Sequence, residues 1–311
     1  MKKKVVVLGI VGLAVLSVVA LLEMGPRPVD GGFACGRLGL PGNKVAVVYL
    51  QGPIAEGRQS MSTSATITPR LVEKYLDKLE ADPSVKAVVL RVDSPGGSVA
   101  ASQAIAGMIA EFSRPVVVSM GDMAASGGYY ISAPADRIVA MPGTMTGSIG
   151  VIMSIVDLQG LYDKLGINEQ IVKSGKHKDM YRRTLTPEER TLVQNLSDAA
   201  YEQFVTDVAF HRGMTVDRVK ELATGELFLG SQAMELGLVD SVGDLDDAVN
   251  AAAELAGVES PVVYEVPSPI FFVNILDLIG EVRGFLRALT LTPEERLLWR
   301  LRNEPAPELR Y

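Results

Sequence analysis

Hydrophobic positions follow three regimes along this chain. The first is an unbroken run: Val5 to Leu22 carries no charge and follows Lys2-Lys3-Lys4. As a helix rising about 1.5 Å per residue, the run would extend about 27 Å, close to the hydrocarbon thickness of a bilayer. A removable signal peptide has a shorter apolar core and a small-residue cleavage site. Val18-Val19-Ala20, followed directly by Leu21-Leu22, matches such a site poorly. Residues 5–22 are therefore expected to form an uncleaved transmembrane anchor. The lysines keep residues 1–4 in the cytoplasm and place the rest of the chain on the extracytoplasmic side.

The second regime is alternation. Pro26 to Gly42 is rich in Gly and Pro without periodicity, which makes residues 23–43 a linker. From Lys44 onward, short β-branched runs alternate with helical patterns. Strands are expected at Val45–Leu50, Ala87–Val92, Val116–Met120, Arg137–Met141 and Ile149–Ile155, with helices at Pro69–Leu79 and Val99–Phe112. Pro115 breaks the second helix before the next strand. Nearly continuous apolar strands separated by helices imply an α/β fold: a mostly parallel sheet with helices on both faces.

The third regime is helical. Leu-Thr-Pro-Glu-Glu-Arg occurs at Leu185–Arg190 and again at Leu291–Arg296. Helix capping accounts for both copies, with Thr at the N-cap, Pro at the first helical position and Glu two residues later. Helices are expected over Arg190–Phe210, Gln232–Leu236 and Leu245–Leu255. In Ile270–Leu289 apolar residues recur at helical spacing, as in a helix docked on the domain or on another subunit, or lying on a membrane surface.

Composition narrows the function. Lys and Arg number 30 against 37 Asp and Glu, a net charge of −7 with no long basic run, so nucleic acid is not an expected partner. The single cysteine, Cys35, excludes an intrachain disulfide, and Gly32-Phe33-Ala34 before it makes a poor lipidation site. Two histidines offer little for a zinc site, and neither metal nor cofactor is expected.

Two glycine-rich segments carry the chemistry. In Gly121-Asp122-Met123-Ala124-Ala125-Ser126-Gly127-Gly128-Tyr129-Tyr130, a serine sits among small residues where a strand gives way to a helix. Its hydroxyl is uncrowded, and the amides of the helix start can stabilise negative charge. Upstream, Asp93-Ser94-Pro95-Gly96-Gly97-Ser98 joins a strand to a helix and forms a candidate oxyanion cradle; it lacks the lysine and spacing of a nucleotide loop. A serine nucleophile also needs a base. His211 lies at a helix end, where the dipole favours it as a surface residue. His177 lies in Lys173-Ser174-Gly175-Lys176-His177-Lys178-Asp179, which offers both an imidazole and lysines. Residue types alone leave Ser–His and Ser–Lys chemistry open.

These blocks occur in order with Ala133-Pro134-Ala135-Asp136-Arg137-Ile138, Gly143 to Val151 and Gly237-Leu238-Val239-Asp240. Together they closely resemble the signal peptide peptidase A family, in its short form with a single catalytic core, over roughly residues 44–256. The resemblance implies a caseinolytic protease/crotonase-like fold with a repeated β-β-α core, spanning residues 44–258. Residues 259–311 are expected to form a C-terminal amphipathic extension, and from Ile270 to Tyr311 no motif matches. The resemblance also implies a Ser–Lys dyad: Ser126 as nucleophile, Lys178 as base, Ser148 orienting that lysine, and the amides of Gly97 and Gly127 as oxyanion donors. It further implies a membrane-anchored endopeptidase that degrades cleaved signal peptides and other unfolded peptides, in a homo-oligomer whose sites are shared between protomers. Gly225-Glu226-Leu227-Phe228-Leu229-Gly230 departs from the family's Gly-Arg-Val-aromatic-Thr-Gly, a change that bears on local packing or substrate fit. The same scaffold could host acyl-CoA chemistry, or the chain could be a silent scaffold for membrane proteins. An export signal argues against the first, and a full set of dyad residues against the second.

Overall fold

The computed structural model describes residues 43–57 and 66–267. The Val5–Leu22 run, Cys35 and the Ile270–Leu289 segment lie outside them, and among the described residues no helix is long and apolar enough to cross a membrane.

A mixed sheet of eight strands organises the chain: β1 (Lys44–Gln51), β2 (Val85–Ser94), β3 (Val116–Ala125), β4 (Arg137–Ala140), β5 (Met145–Gly147), β6 (Leu227–Leu229), β7 (Ser241–Val242) and β8 (Val262–Glu265). Its main path runs β6-β5-β3-β2-β1-β8, and β4 joins β3 to β7. Every pairing is parallel except β5 with β6. The crossovers are helical, as parallel neighbours require: α1 (Pro69–Glu80), α2 (Val99–Ala110) and α3 (Gly127–Ser132). Later come α4 (Gln159–Leu165), α5 (Pro187–Arg212), α6 (Val216–Leu222), α7 (Gly230–Glu235) and α8 (Leu245–Leu255).

Strand alternation divides the core between the two faces. Val48, Leu50, Val88, Leu90, Val118, Met120 and Ile138 pack with α1, α2, α3 and α5 on one face. Val45, Val47, Val89, Val117 and Val139 point the other way, onto the alanine-rich side of α8. Burial on both sides explains why these strands read as continuous apolar runs.

Two strand boundaries differ from the expectation. β3 continues past Met120 to Ala125, because its second half pairs with β5: Met123 lies opposite Met145 and Ala125 opposite Gly147. The strand expected at Ile149–Ile155 does not form. Ser148 has φ 47°, which breaks the extended chain, and only Ile149 of that run is buried; Ile152 is 90% exposed. From 151 to 188 no residue is buried at all, and α4 is the one α-helix there before α5 begins at Pro187.

Candidate active site

Ser126 stands between the end of β3 and the first residue of α3, with φ 53° and ψ −120°. Among the described residues only Ser126 and Ser148 combine a side chain with positive φ. Such backbone costs about 1–3 kcal/mol and persists where surrounding structure over-determines it. Here the Ser126 N–H donates to the Gly147 carbonyl at 2.8 Å, and the Ser126 carbonyl accepts from the Tyr130 N–H at 2.9 Å. The turn projects Ser126 at the mouth of a pocket of about 90 Å³, walled by Gly97, Ser102, Gly127, Tyr130, Gly150 and Phe204 among others.

The Gly96-Gly97 loop closes over this turn. Ile54 holds it from behind: the Ile54 N–H donates to the Gly96 carbonyl at 2.8 Å, and the Ser98 N–H donates to the Ile54 carbonyl at 2.8 Å. Both glycines here are required. A Cβ on Gly97 (φ 155°) would stand 1.9 Å from the Ile54 oxygen, and one on Gly127 would stand 2.6 Å from Ser102 Oγ and 3.1 Å from the Gly97 nitrogen. Without side chains, two amides from distant elements converge beside Ser126. Neither amide donates a hydrogen bond among the described residues. Two free donors next to a hydroxyl can hold an oxyanion.

Ser148 follows directly on Gly147, so the carbonyl that fixes Ser126 belongs to its neighbour. Its own N–H donates to the Glu226 carbonyl at 2.8 Å. The block that departs from the family pattern therefore supports this corner: β6 pairs with β5, and the Phe228 ring occupies the space where Gly147 would carry a Cβ.

Lys178 is placed elsewhere. It lies on an exposed turn, does not line the Ser126 pocket, and its side chain has no hydrogen-bond or ionic partner among the described residues. His177 Nδ1 lies 3.2 Å from Glu189 Oε1, at the start of α5. His211 sits in the last turn of α5, where burial pulls its pKa down, and it too is absent from the pocket wall. The structure thus brings together Ser126, Gly97 and Gly127, sets Ser148 next to the Gly147 whose carbonyl holds Ser126 but outside the pocket wall, and leaves Lys178 off that wall as well.

Sequence reasoning missed the far wall. Ser102 is buried, with its hydroxyl donating to the Ser98 carbonyl at 2.9 Å; its spacing three residues after Val99 was the available signal. Phe204 comes from α5, with its ring centroid 4.8 Å from that of Tyr130. The Tyr130 hydroxyl donates to Asp207, and burial followed by that carboxylate raises its pKa. Nothing local in the sequence pairs Tyr130 with a helix more than seventy residues away. A larger open cleft of about 450 Å³ continues beyond Val151 and Ile152, which line both cavities. Among the described residues no cluster of three His, Cys, Asp or Glu side chains could hold a metal ion.

Comparison with known proteins fits this geometry. The profile of Peptidase family S49 matches residues 110–259, and that of Clp protease matches residues 57–147. An inferred protease of Synechocystis sp. is 41% identical over 251 residues, covering 79% of this chain and 83% of that one.

The chain belongs to peptidase family S49, the signal peptide peptidase A family.

Within it, an inferred signal peptide peptidase of Enterococcus faecium is 39% identical over 219 residues, covering 68% of this chain and 64% of that one. The S49 membership makes the protein a serine protease. Its fold is also that of a solved structure, a lysine-to-alanine variant of the 1510-N membrane-bound stomatin-specific protease in complex with a substrate peptide. That likeness has a TM-score of 0.51 at 17% identity and covers 78% of this chain and all of that one. The Clp-protease-like α/β core expected from the sequence is therefore present.

Proposed function

We propose that this serine protease is a membrane-anchored endopeptidase in which Ser126 is the nucleophile and Lys178 the general base. One observation carries the reading: the unpaired amides of Gly97 and Gly127 meet beside a strained, pocket-facing Ser126. Ser126 Oγ attacks the scissile carbonyl while neutral Lys178 Nζ takes its proton. The carbonyl oxygen becomes an oxyanion between the two amides. Lys178 then protonates the leaving amine, the acyl-enzyme forms, and water releases the acid by the same steps in reverse order. Ser148 orients the lysine amine.

The base is supplied by a neighbouring copy of the chain in a homo-oligomer. The separation along α5 supports this. Glu189, which anchors the turn bearing Lys178, and Ala200, on the pocket wall, are about 16 Å apart along that helix. Membrane anchoring through residues 5–22 rests on the charge-free run from Val5 to Leu22, and the extracytoplasmic position of the catalytic core on the lysines before it. Cleaved signal peptides and other unfolded, membrane-proximal peptides are the substrates; the name of the Enterococcus faecium relative supports that class. The narrow pocket between Ser102, Tyr130 and Phe204 suits small or aliphatic side chains.

Mixing tests the shared site. Ser126→Ala and Lys178→Ala proteins should each be inactive on a fluorogenic peptide. Co-assembled in equal amounts they should recover roughly a quarter of wild-type activity, the chance that a site draws both intact groups from adjacent copies. No recovery in verified mixed oligomers would sink the shared site, and full activity in either single variant would sink the dyad.

A further inference from the structure

The excursion from 151 to 188 has no buried residue, so hydrophobic packing does not set where Lys178 sits. Polar contacts do. On one side of Lys178, His177 Nδ1 lies 3.2 Å from Glu189 Oε1. On the other, Asp179 accepts from Lys173 Nζ at 2.5 Å and from Arg183 Nε and one terminal nitrogen at 3.2 Å each. Arg183 then grips Glu189 with both terminal nitrogens, each at 2.8 Å, a two-point fork. Glu189 is 2% exposed and also accepts from the Thr186 N–H and hydroxyl at 3.0 Å each, which roots it in the first turn of α5. Both chain neighbours of Lys178 are tied to one buried carboxylate, while Lys178 itself has no side-chain partner among the described residues.

We propose that Glu189, held by Arg183, is the positioning residue of the reaction: it fixes the turn 174–179 on the end of α5 so that Lys178 presents its amine outward in one place. The proposal rests on Lys178 being the base. It explains why a buried carboxylate stands under an otherwise unpacked turn, and it makes α5 a rigid rod with the base turn at one end and Phe204 in a pocket wall further along. A base displaced by about 1 Å loses much of its effect, since proton transfer needs a heavy-atom approach of about 2.6–3.2 Å. Loss of the clamp therefore lowers turnover and leaves binding unchanged.

The test uses the full chain with Glu189→Gln, Arg183→Ala and Lys178→Ala, assayed for kcat, KM, melting temperature and assembly size. Expected are a fall in kcat of about 10–100-fold for Glu189→Gln and Arg183→Ala with KM within about twofold, and partial recovery of Arg183→Ala when guanidinium ion is added at millimolar concentration. Lys178→Ala should be inactive and unaffected by guanidinium. Should Glu189→Gln fail to fold, Arg183→Ala and its guanidinium response decide alone. A kcat within twofold of wild type in the clamp variants, with Lys178→Ala inactive, overturns the positioning role and leaves the dyad intact. A loss that follows melting temperature or assembly size and does not respond to guanidinium overturns it as well. Activity in Lys178→Ala overturns the dyad, and the positioning role with it.

Discussion

At Ser126 the fold retains a backbone conformation that costs about 1–3 kcal/mol, because the β3–β5 register brings the Gly147 carbonyl to its N–H. The residue chemistry then turns on which base serves it. A lysine accepts a proton only when neutral, so with Lys178 as base the rate of peptide hydrolysis should rise with pH. A Ser–His site would instead show its transition near about 6.5. His177→Ala should keep measurable activity, reduced because the variant loses one contact to Glu189. Ser148→Ala should lower kcat by about tenfold without abolishing it, as for loss of one hydrogen bond that orients the base. The measurement is a kcat profile over pH for each folded variant. An inactive His177→Ala beside an active Lys178→Ala would reverse the assignment.

Among the elements, α5 was legible in detail. Thr186 caps it, Pro187 opens it, and Glu189 completes a capping box with the Thr186 N–H and hydroxyl. The second role of Glu189, under the Lys178 turn, was not legible, since it depends on Arg183 and His177 folding back onto the helix end. This junction has a pH signature. The hydrogen bonds from Lys173 and then Arg183 pull the pKa of Asp179 down to about 2. Arg183 first, and then the Thr186 amide, hold Glu189 well below the usual carboxylate range. A carboxylate with a depressed folded pKa stabilises the fold fully above its unfolded value near about 4, and that stability is lost as pH falls toward the folded value. Melting temperature should therefore fall between about pH 4 and pH 2, and fall less steeply in Asp179→Asn. Equal slopes for the two proteins in that window would show that the junction contributes nothing to stability.

For the whole molecule, the conspicuous feature among the described residues is apolar surface left open to solvent. Along the excursion, Ile152 is 90% exposed and Val172 fully so, with Val156, Leu161 and Leu165 also open to solvent. Apolar exposure concentrated in one segment is the pattern of a surface that another protein covers. The shared site proposed above makes a second copy of the chain the occupant of this surface. Val172→Glu should shift the assembly toward the 33.3 kDa protomer in light scattering and remove peptidase activity with it. Full activity from a dispersed protomer would refute the sharing of sites.

Local sequence determined what depends on neighbours along the chain. The strands β1 to β4 and the helices α1, α2 and α5 follow from apolar periodicity and caps, because burial and hydrogen bonding within an element depend on spacings of two to four residues. The motif Ser126-Gly127 and the loop Gly96-Gly97 could likewise be read as chemistry from their glycines and their strand-to-helix position. Tertiary structure decided everything that joins distant segments. It ended the run after Ile149 by pairing β5 with β6 and turning the chain at Ser148, and it carried Phe204 and Asp207 to Tyr130. It also kept Lys178 out of the Ser126 pocket. Those outcomes depend on pairings between residues far apart in the chain, whose energies no local pattern encodes.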